Sequence, residues 1–336
     1  MRYCFAAVLI AGSANCWNAG TPSWANDSSA ELGVGGLTLT KNAAVSIESE
    51  ELLITLDNIT VRYVFLNHDA NPVTLTVAFP LPNLDLAESA NLSIPTTDPQ
   101  NYVGFSTKVN GKPISFTVKQ RAFLNDKDVT ATLSELNIPL LPIGSQQLKI
   151  SELPEKTLQR AVAESLLVQS GTNDKGLPLY DPTWTLKTAI VREQTFPPGK
   201  PVSVEHRYRT SVGRSVDSIL RRGLRQSKDL AREVDRYKTD FCITDAVLKQ
   251  IDSLAGSDKA GDGRVLERRI TYVLKSGANW AGPIKNFRLV VDKGRASRVA
   301  SFCGGDAKKI SATASELRAV DFTPTQDLNI IILGRN

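Results

Sequence analysis

"ITVRYVFLNHDANPVTLTVAF", residues 59–79, decides the fold class. In its first half Ile59, Val61, Tyr63 and Phe65 fall on one side of an extended chain, and Thr60 and Arg62 fall on the other. In its second half Val73, Leu75, Val77 and Phe79 alternate with Thr74 and Thr76. Period-two alternation of β-branched and aromatic residues marks strands with one buried face. The "NHDANP" between them is made of turn-forming residues, so the two runs read as a hairpin with His68 in an exposed loop.

The same signals recur on either side. "FSTKV" and "KPISFTV" flank Asn110-Gly111, the dipeptide that most favours a two-residue hairpin turn, and place Ile114, Phe116 and Val118 inward. Residues 26–125 are therefore expected to form an antiparallel, sandwich-like N-terminal β-domain. A helical insertion follows over 126–171. "DVTATLSELNIPLLP" starts near Asp128, and "LPEKTLQRAVAESLLVQSG" opens at Pro154, carries a Leu158, Ala161, Val162 and Leu166 stripe and closes at Gly171. Residues 172–336 read as a second β-rich portion, with a helical segment at about 215–256 that ends in the helix opened by Thr244. The expected class is mainly β with helical insertions.

The N-terminus has the form of an export signal. Arg2 is the only charge in residues 1–25, an apolar run spans Cys4 to Gly12, and Ser23 and Ala25 sit at small-residue positions before a cut after Ala25. Removing Arg2 lowers the formal charge from +5 to +4. No later segment has the 18 or more consecutive apolar residues of a membrane span. A periplasmic or secreted location follows, and nucleic acid is a poor partner there. Cys4 and Cys16 leave with the signal, so Cys242 and Cys303 are expected to pair in an oxidising compartment.

Recognisable catalytic chemistry is sparse. The chain has two histidines, His68 and His206, and neither belongs to an H-E-x-x-H motif or has metal-ligand spacing. There is no G-x-S-x-G elbow and no S-x-x-K pair. No cofactor motif appears, because "GVGG" at 33–36 is followed by neither G-K-[ST] nor a helix pattern. In "PVSVEHRYR", Val202, Val204, His206 and Tyr208 share the apolar face and Glu205 points away, so His206 reads as a core residue. A place at a pocket mouth beside Tyr208 is the other reading. Trp280, in the turn-rich "GANWAGP", is a candidate ligand contact, and Trp184 reads as core beside Leu186 and Ile190. Over 207–232 eight basic residues face two acidic ones. On a helix Arg221, Arg225 and Arg232 would line one side, either as a solvated face or as a contact for anionic lipid or glycan.

The segments "NDSSAELGVGGLTLTKN", "VRYVFLNHDANPVTLTVAFPLP", "DVTATLSELNIPLLP", "FPPGKPVSVEHRYRTSVG" and "NWAGPIKNFRLVVDKG" with "SFC" occur in this order. Together they resemble the exported bacterial proteins grouped as domain-of-unknown-function family 4424. The resemblance implies a secreted or periplasmic β-rich protein and supplies no activity, substrate, cofactor or catalytic residue. The expected role is non-enzymatic binding or scaffolding in the bacterial cell envelope. The alternative is a secreted hydrolase using dispersed carboxylates or His206.

Overall fold

The Asn58–Asn67 strand buries Ile59, Val61, Tyr63 and Phe65, as the alternation requires. The computed structural model that shows this describes residues 27–33, 36–174, 176–256 and 263–335; the expected leader and most of the "GSDKAGDG" tip lie outside the described residues.

The expected hairpin at 59–79 does not form. Asn58–Asn67 pairs with Val45–Ile54 and Pro201–Arg209, while Val73–Pro80 joins a different sheet beside Thr185–Phe196 and Ser28–Gly33. The cause lies in the corner. The Asn67 side chain is fully buried and donates to the carbonyls of Asn71 (2.8 Å) and Phe196 (2.9 Å), which turns the chain out of one sheet and into the next. "KPISFTV" divides in the same way. Asn110 and Gly111 both adopt positive φ in a tight turn that pairs Ser106–Val109 with Lys112–Pro113. Thr117–Leu124 then crosses over to pair with Thr185–Phe196.

Three sheets make up most of the molecule, which is mainly β. The largest has eight strands, running from Lys308–Lys309 at one edge through Ile284–Asp292, Val45–Ile54 and Asn58–Asn67 to Lys112–Pro113 at the other. One pairing in it, Val45–Ile54 with Ile284–Asp292, is parallel. The second has seven strands and includes Ser28–Gly33, Val73–Pro80 and Thr185–Phe196. Strands from residues 26–125 and from 172–336 thus share both sheets. Their inner faces meet in one apolar core. Phe79 of the seven-stranded sheet packs against Tyr208 of the eight-stranded one and against Phe105, which just precedes the Ser106–Val109 strand, with ring centroids 5.8 and 5.3 Å apart.

The third sheet orders Val299–Phe302, Leu328–Gly334, Leu266–Tyr272, Val212–Ser215 and Leu92–Ser93. One face, with Ile270, Tyr272, Ile330 and Ile332, joins the main core, and the Tyr272 hydroxyl lies 3.1 Å from that of Tyr63. The other face, with Val299, Ile331 and Leu333, packs under a helical layer.

That layer is not one long basic helix. Val212–Ser215 is a strand, followed by a single turn at Arg222–Arg225, a 3-10 turn at Lys228–Leu230 and a helix at Ala231–Asp240. Gly223 is a poor helix-interior residue, and the Arg225 guanidinium folds back to donate to the Leu220 carbonyl (2.8 Å). The next helix, Asp245–Ala255, is capped by Thr244 as expected, its hydroxyl accepting the Val247 N–H. In the 126–171 stretch the helices are Thr130–Glu135, Ser145–Ile150 and Glu155–Ala163. The last stops at Ser165, which has φ of 58°, rather than at Gly171, which lies in the Leu167–Thr172 strand.

Cys242 and Cys303 form a disulfide with Cα atoms 5.1 Å apart. It ties the end of the Ala231–Asp240 helix to the end of the Val299–Phe302 strand, clamping the helical layer to its sheet. Closing a 61-residue separation is worth about 4 kcal/mol by chain entropy.

Candidate functional site

Strand alternation gives Leu266–Tyr272 two different faces. Ile270 and Tyr272 turn into the main core, so Glu267, Arg269 and Thr271 turn toward the helical layer. Between that face and the Ala231–Asp240 helix lies a cleft of about 500 Å³, within the size range of small-molecule sites. Five acidic residues (Glu88, Asp217, Glu233, Asp240 and Glu267) line it against two basic ones, Arg236 and Arg269. Its formal balance is therefore minus three, on a chain whose formal charge is +5.

Glu267 sits on the cleft floor and is 2% exposed. Its Oε2 accepts from the Ser218 hydroxyl (2.6 Å), and its Oε1 accepts from the Tyr237 hydroxyl (3.0 Å) and from the Arg269 guanidinium. Arg269 Nη1 also donates to the Tyr237 oxygen (2.6 Å), closing a ring of three groups. Burial, reinforced by the Glu267 charge, raises the Tyr237 phenol, which stays protonated and can only donate to that carboxylate. A side chain held by three donors is a rigid floor and a poor mobile base. Gly213, cross-strand from Arg269, leaves room for the guanidinium, since a Cβ there would lie 3.1 Å from Arg269 Nε. Nearer the mouth, Asp217 pairs with Arg221 (2.8 Å) and Glu233 with Arg236 (3.6 Å), while Glu88 and Asp240 are exposed.

The residues singled out from sequence lie elsewhere. His206 is 0% exposed on the expected face, among the rings of Tyr63, Phe79 and Phe105 at 5.0–5.8 Å. Tyr208 is buried on the same strand face, stacked on Phe105. Trp280 is buried as well, 4.7 Å from the Phe65 ring, and its Nε1 donates to the Asp27 carbonyl (2.6 Å). The turn-rich loop folds inward, so none of the three reaches the cleft. Trp184 is core, donating to the Leu140 carbonyl. His68 is exposed, with Nε2 2.7 Å from the Ser46 hydroxyl. Arg221 pairs with Asp217, Arg225 forms a two-point pair with Asp252 at 2.6 and 2.8 Å, and Arg232 is exposed on the next helix.

What holds His206 in place is an ion pair absent from any motif. Asp27 is fully buried, and Arg192 reaches both of its oxygens, at 3.0 and 3.3 Å. His206 Nε2 lies 3.0 Å from Asp27 Oδ2. Burial works to raise the Asp27 carboxyl, but Arg192 above all, with His206, holds it down at about 2. Burial also lowers His206 and outweighs the opposing pull of Asp27, which keeps the imidazole neutral. This cluster is sealed among aromatic rings and acts as an internal brace.

Sequence reading missed Asp27, Arg192, Ser218, Tyr237, Glu267 and Arg269. One signal was present for Arg192. It shares strand parity with the buried Trp184, Leu186 and Ile190, so alternation alone turns a guanidinium inward and demands a buried anion.

Among solved structures, the chain is similar to a Legionella pneumophila protein to which nutrient binding is provisionally ascribed. The identity is 15% and the TM-score 0.44, over 93% of this chain and 72% of the other. A second likeness, to an M1 zinc metallopeptidase of Deinococcus radiodurans, has 9% identity and a TM-score of 0.26; it covers 88% of this chain and 43% of that one. No curated protein matches the chain. The model of one sequence family, described as a domain of unknown function, DUF4424, matches residues 25–331, nearly the whole described chain, and the protein belongs to that family.

Proposed function

We propose that this is an exported, non-enzymatic binding or scaffolding protein of the bacterial cell envelope, and that the cleft over Glu267 holds a small, polar, positively charged ligand. The observation that carries this reading is the acidic balance of a preformed cleft on a chain of opposite net charge. Such a cleft concentrates cations and repels anions. The ring of Glu267, Tyr237 and Arg269 supports it further by fixing the floor before any ligand arrives, which lowers the ordering cost of binding.

Export is supported by the leader-like N-terminus and by the Cys242–Cys303 bond. No helix among the described residues is long and apolar enough to cross a membrane.

The hydrolase alternative keeps one supporting observation, the grouping of Glu88, Glu233 and Asp240 along one cleft. The sealed position of His206 argues against its part in such chemistry. A thermal-shift panel of spermidine, a neutral disaccharide and citrate, run beside a glycosidase substrate screen, tests both readings. Stabilisation by spermidine alone, without turnover, is expected. Turnover that is lost on Asp240→Asn would replace the binding reading with the hydrolase.

A further inference from the structure

The opposite face of the same sheet ends in a second hollow of contrasting chemistry. Arg268 alternates with Glu267, so it points away from the acidic cleft. Around a cavity of about 210 Å³ it meets Arg295, Arg298 and Arg335, above a wall formed by Leu56 and Ile332. We propose that Arg268, Arg295 and Arg298 form an anion site for a phosphate group, either free or esterified.

Several observations converge on this. Among the described residues no carboxylate lies within ion-pair distance of Arg268, Arg295 or Arg298, whereas Arg192, Arg225, Arg269 and Arg288 each have one. Arg268 and Arg298 are half-buried, against apolar side chains that cannot neutralise them. Burial and the like charges of Arg295 and Arg268 lower Arg298, and Asp57 offsets them from beyond ion-pair distance. Like charges gathered in a partly desolvated hollow repel one another unless an anion joins them.

Arg298 is also held in position. Its stem lies over Gly334, where a Cβ would come within 2.9 Å, and its Nη1 donates to the Lys293 carbonyl (3.1 Å). Lys293 in turn donates to the carbonyls of Ala296 and Arg298, pinning the loop. Phosphate suits the site better than a carboxylate, because its several oxygens can accept more than one guanidinium fork and its greater charge answers more of the three cations. The residues lie at 268, 295 and 298, so no local sequence run marks them.

Isothermal titration of the folded chain with potassium phosphate, against potassium chloride at matched ionic strength, tests the site. Saturable phosphate binding is expected, weakened roughly tenfold or more by Arg298→Gln and by Arg295→Glu. Arg295 is exposed, so its variant keeps the fold and the comparison holds even if Arg298→Gln loses stability. Sedimentation with phosphatidylcholine vesicles, with and without phosphatidic acid, separates the sources. Phosphatidic-acid-dependent binding that free phosphate competes away assigns a lipid headgroup, and phosphate binding without vesicle binding assigns a soluble phosphate. Phosphate binding no stronger than the chloride control, or unchanged in the Arg295→Glu variant, would overturn the proposal.

Discussion

Replacing Arg192 with Met removes the cation that holds Asp27 and leaves the shape of the strand intact. Asp27 is 0% exposed and Arg192 is 6% exposed, so water cannot take over the lost contacts at 3.0 and 3.3 Å. Breaking a buried ion pair by deleting one partner costs about 3–5 kcal/mol. With an unfolding entropy of roughly 2.1 cal/mol/K per residue over roughly 300 residues, that is a fall in Tm of about 5–8 °C. The double variant Asp27→Asn/Arg192→Met removes both charges and is expected to be more stable than Arg192→Met alone, by about 2 kcal/mol or more. Differential scanning calorimetry and urea titration of the single and double variants measure this. A single-variant shift below about 2 °C, or strictly additive losses, would refute the view that Asp27 and Arg192 brace the core as a pair.

Other expectations follow from the same structure. Asp27 and His206 both bind protons less readily folded than unfolded, so stability should fall as the pH falls. The His206 loss begins below its ordinary 6.5, and the Asp27 contribution, roughly 2–3 kcal/mol, is lost between about pH 4 and pH 2. A urea midpoint that stays level or rises from pH 7 to pH 3 would contradict this. Cys242→Ser/Cys303→Ser should lose about 4 kcal/mol, with hydrogen exchange rising first in the Ala231–Asp240 and Asp245–Ala255 helices; uniform exchange would count against the clamp. Tyr237→Phe removes the hydroxyl shared by Glu267 and Arg269 and should cost about 1–3 kcal/mol in urea titration, against almost nothing if that ring is incidental.

Local alternation was the dependable part of the sequence. It placed Ile59, Val61, Tyr63 and Phe65 inward, put His206 in the core and turned Glu205 away from it. What it lacks is information on partner strands. The run at 59–79 reads the same whether its halves pair with each other or with strands more than a hundred residues away, and the deciding group was the Asn67 amide at the corner. Trp280 misled because a Gly- and Pro-flanked segment suggests solvent, while its indole N–H found the Asp27 carbonyl inside. The cleft was illegible for a similar reason. Ser218, Tyr237 and Glu267 meet across separations of 30 and 49 residues, and the charges that surround them are ordinary in sequence.

Isothermal titration of spermidine into the chain and into Glu233→Lys/Asp240→Lys tests the central claim most directly. Both substituted residues are exposed at the cleft, so the fold is preserved. The parent should bind one spermidine with an affinity that falls as salt rises, and the charge-reversed variant should bind at least about tenfold more weakly. Equal binding by both proteins, or tighter binding of citrate than of spermidine by the parent, would contradict the account.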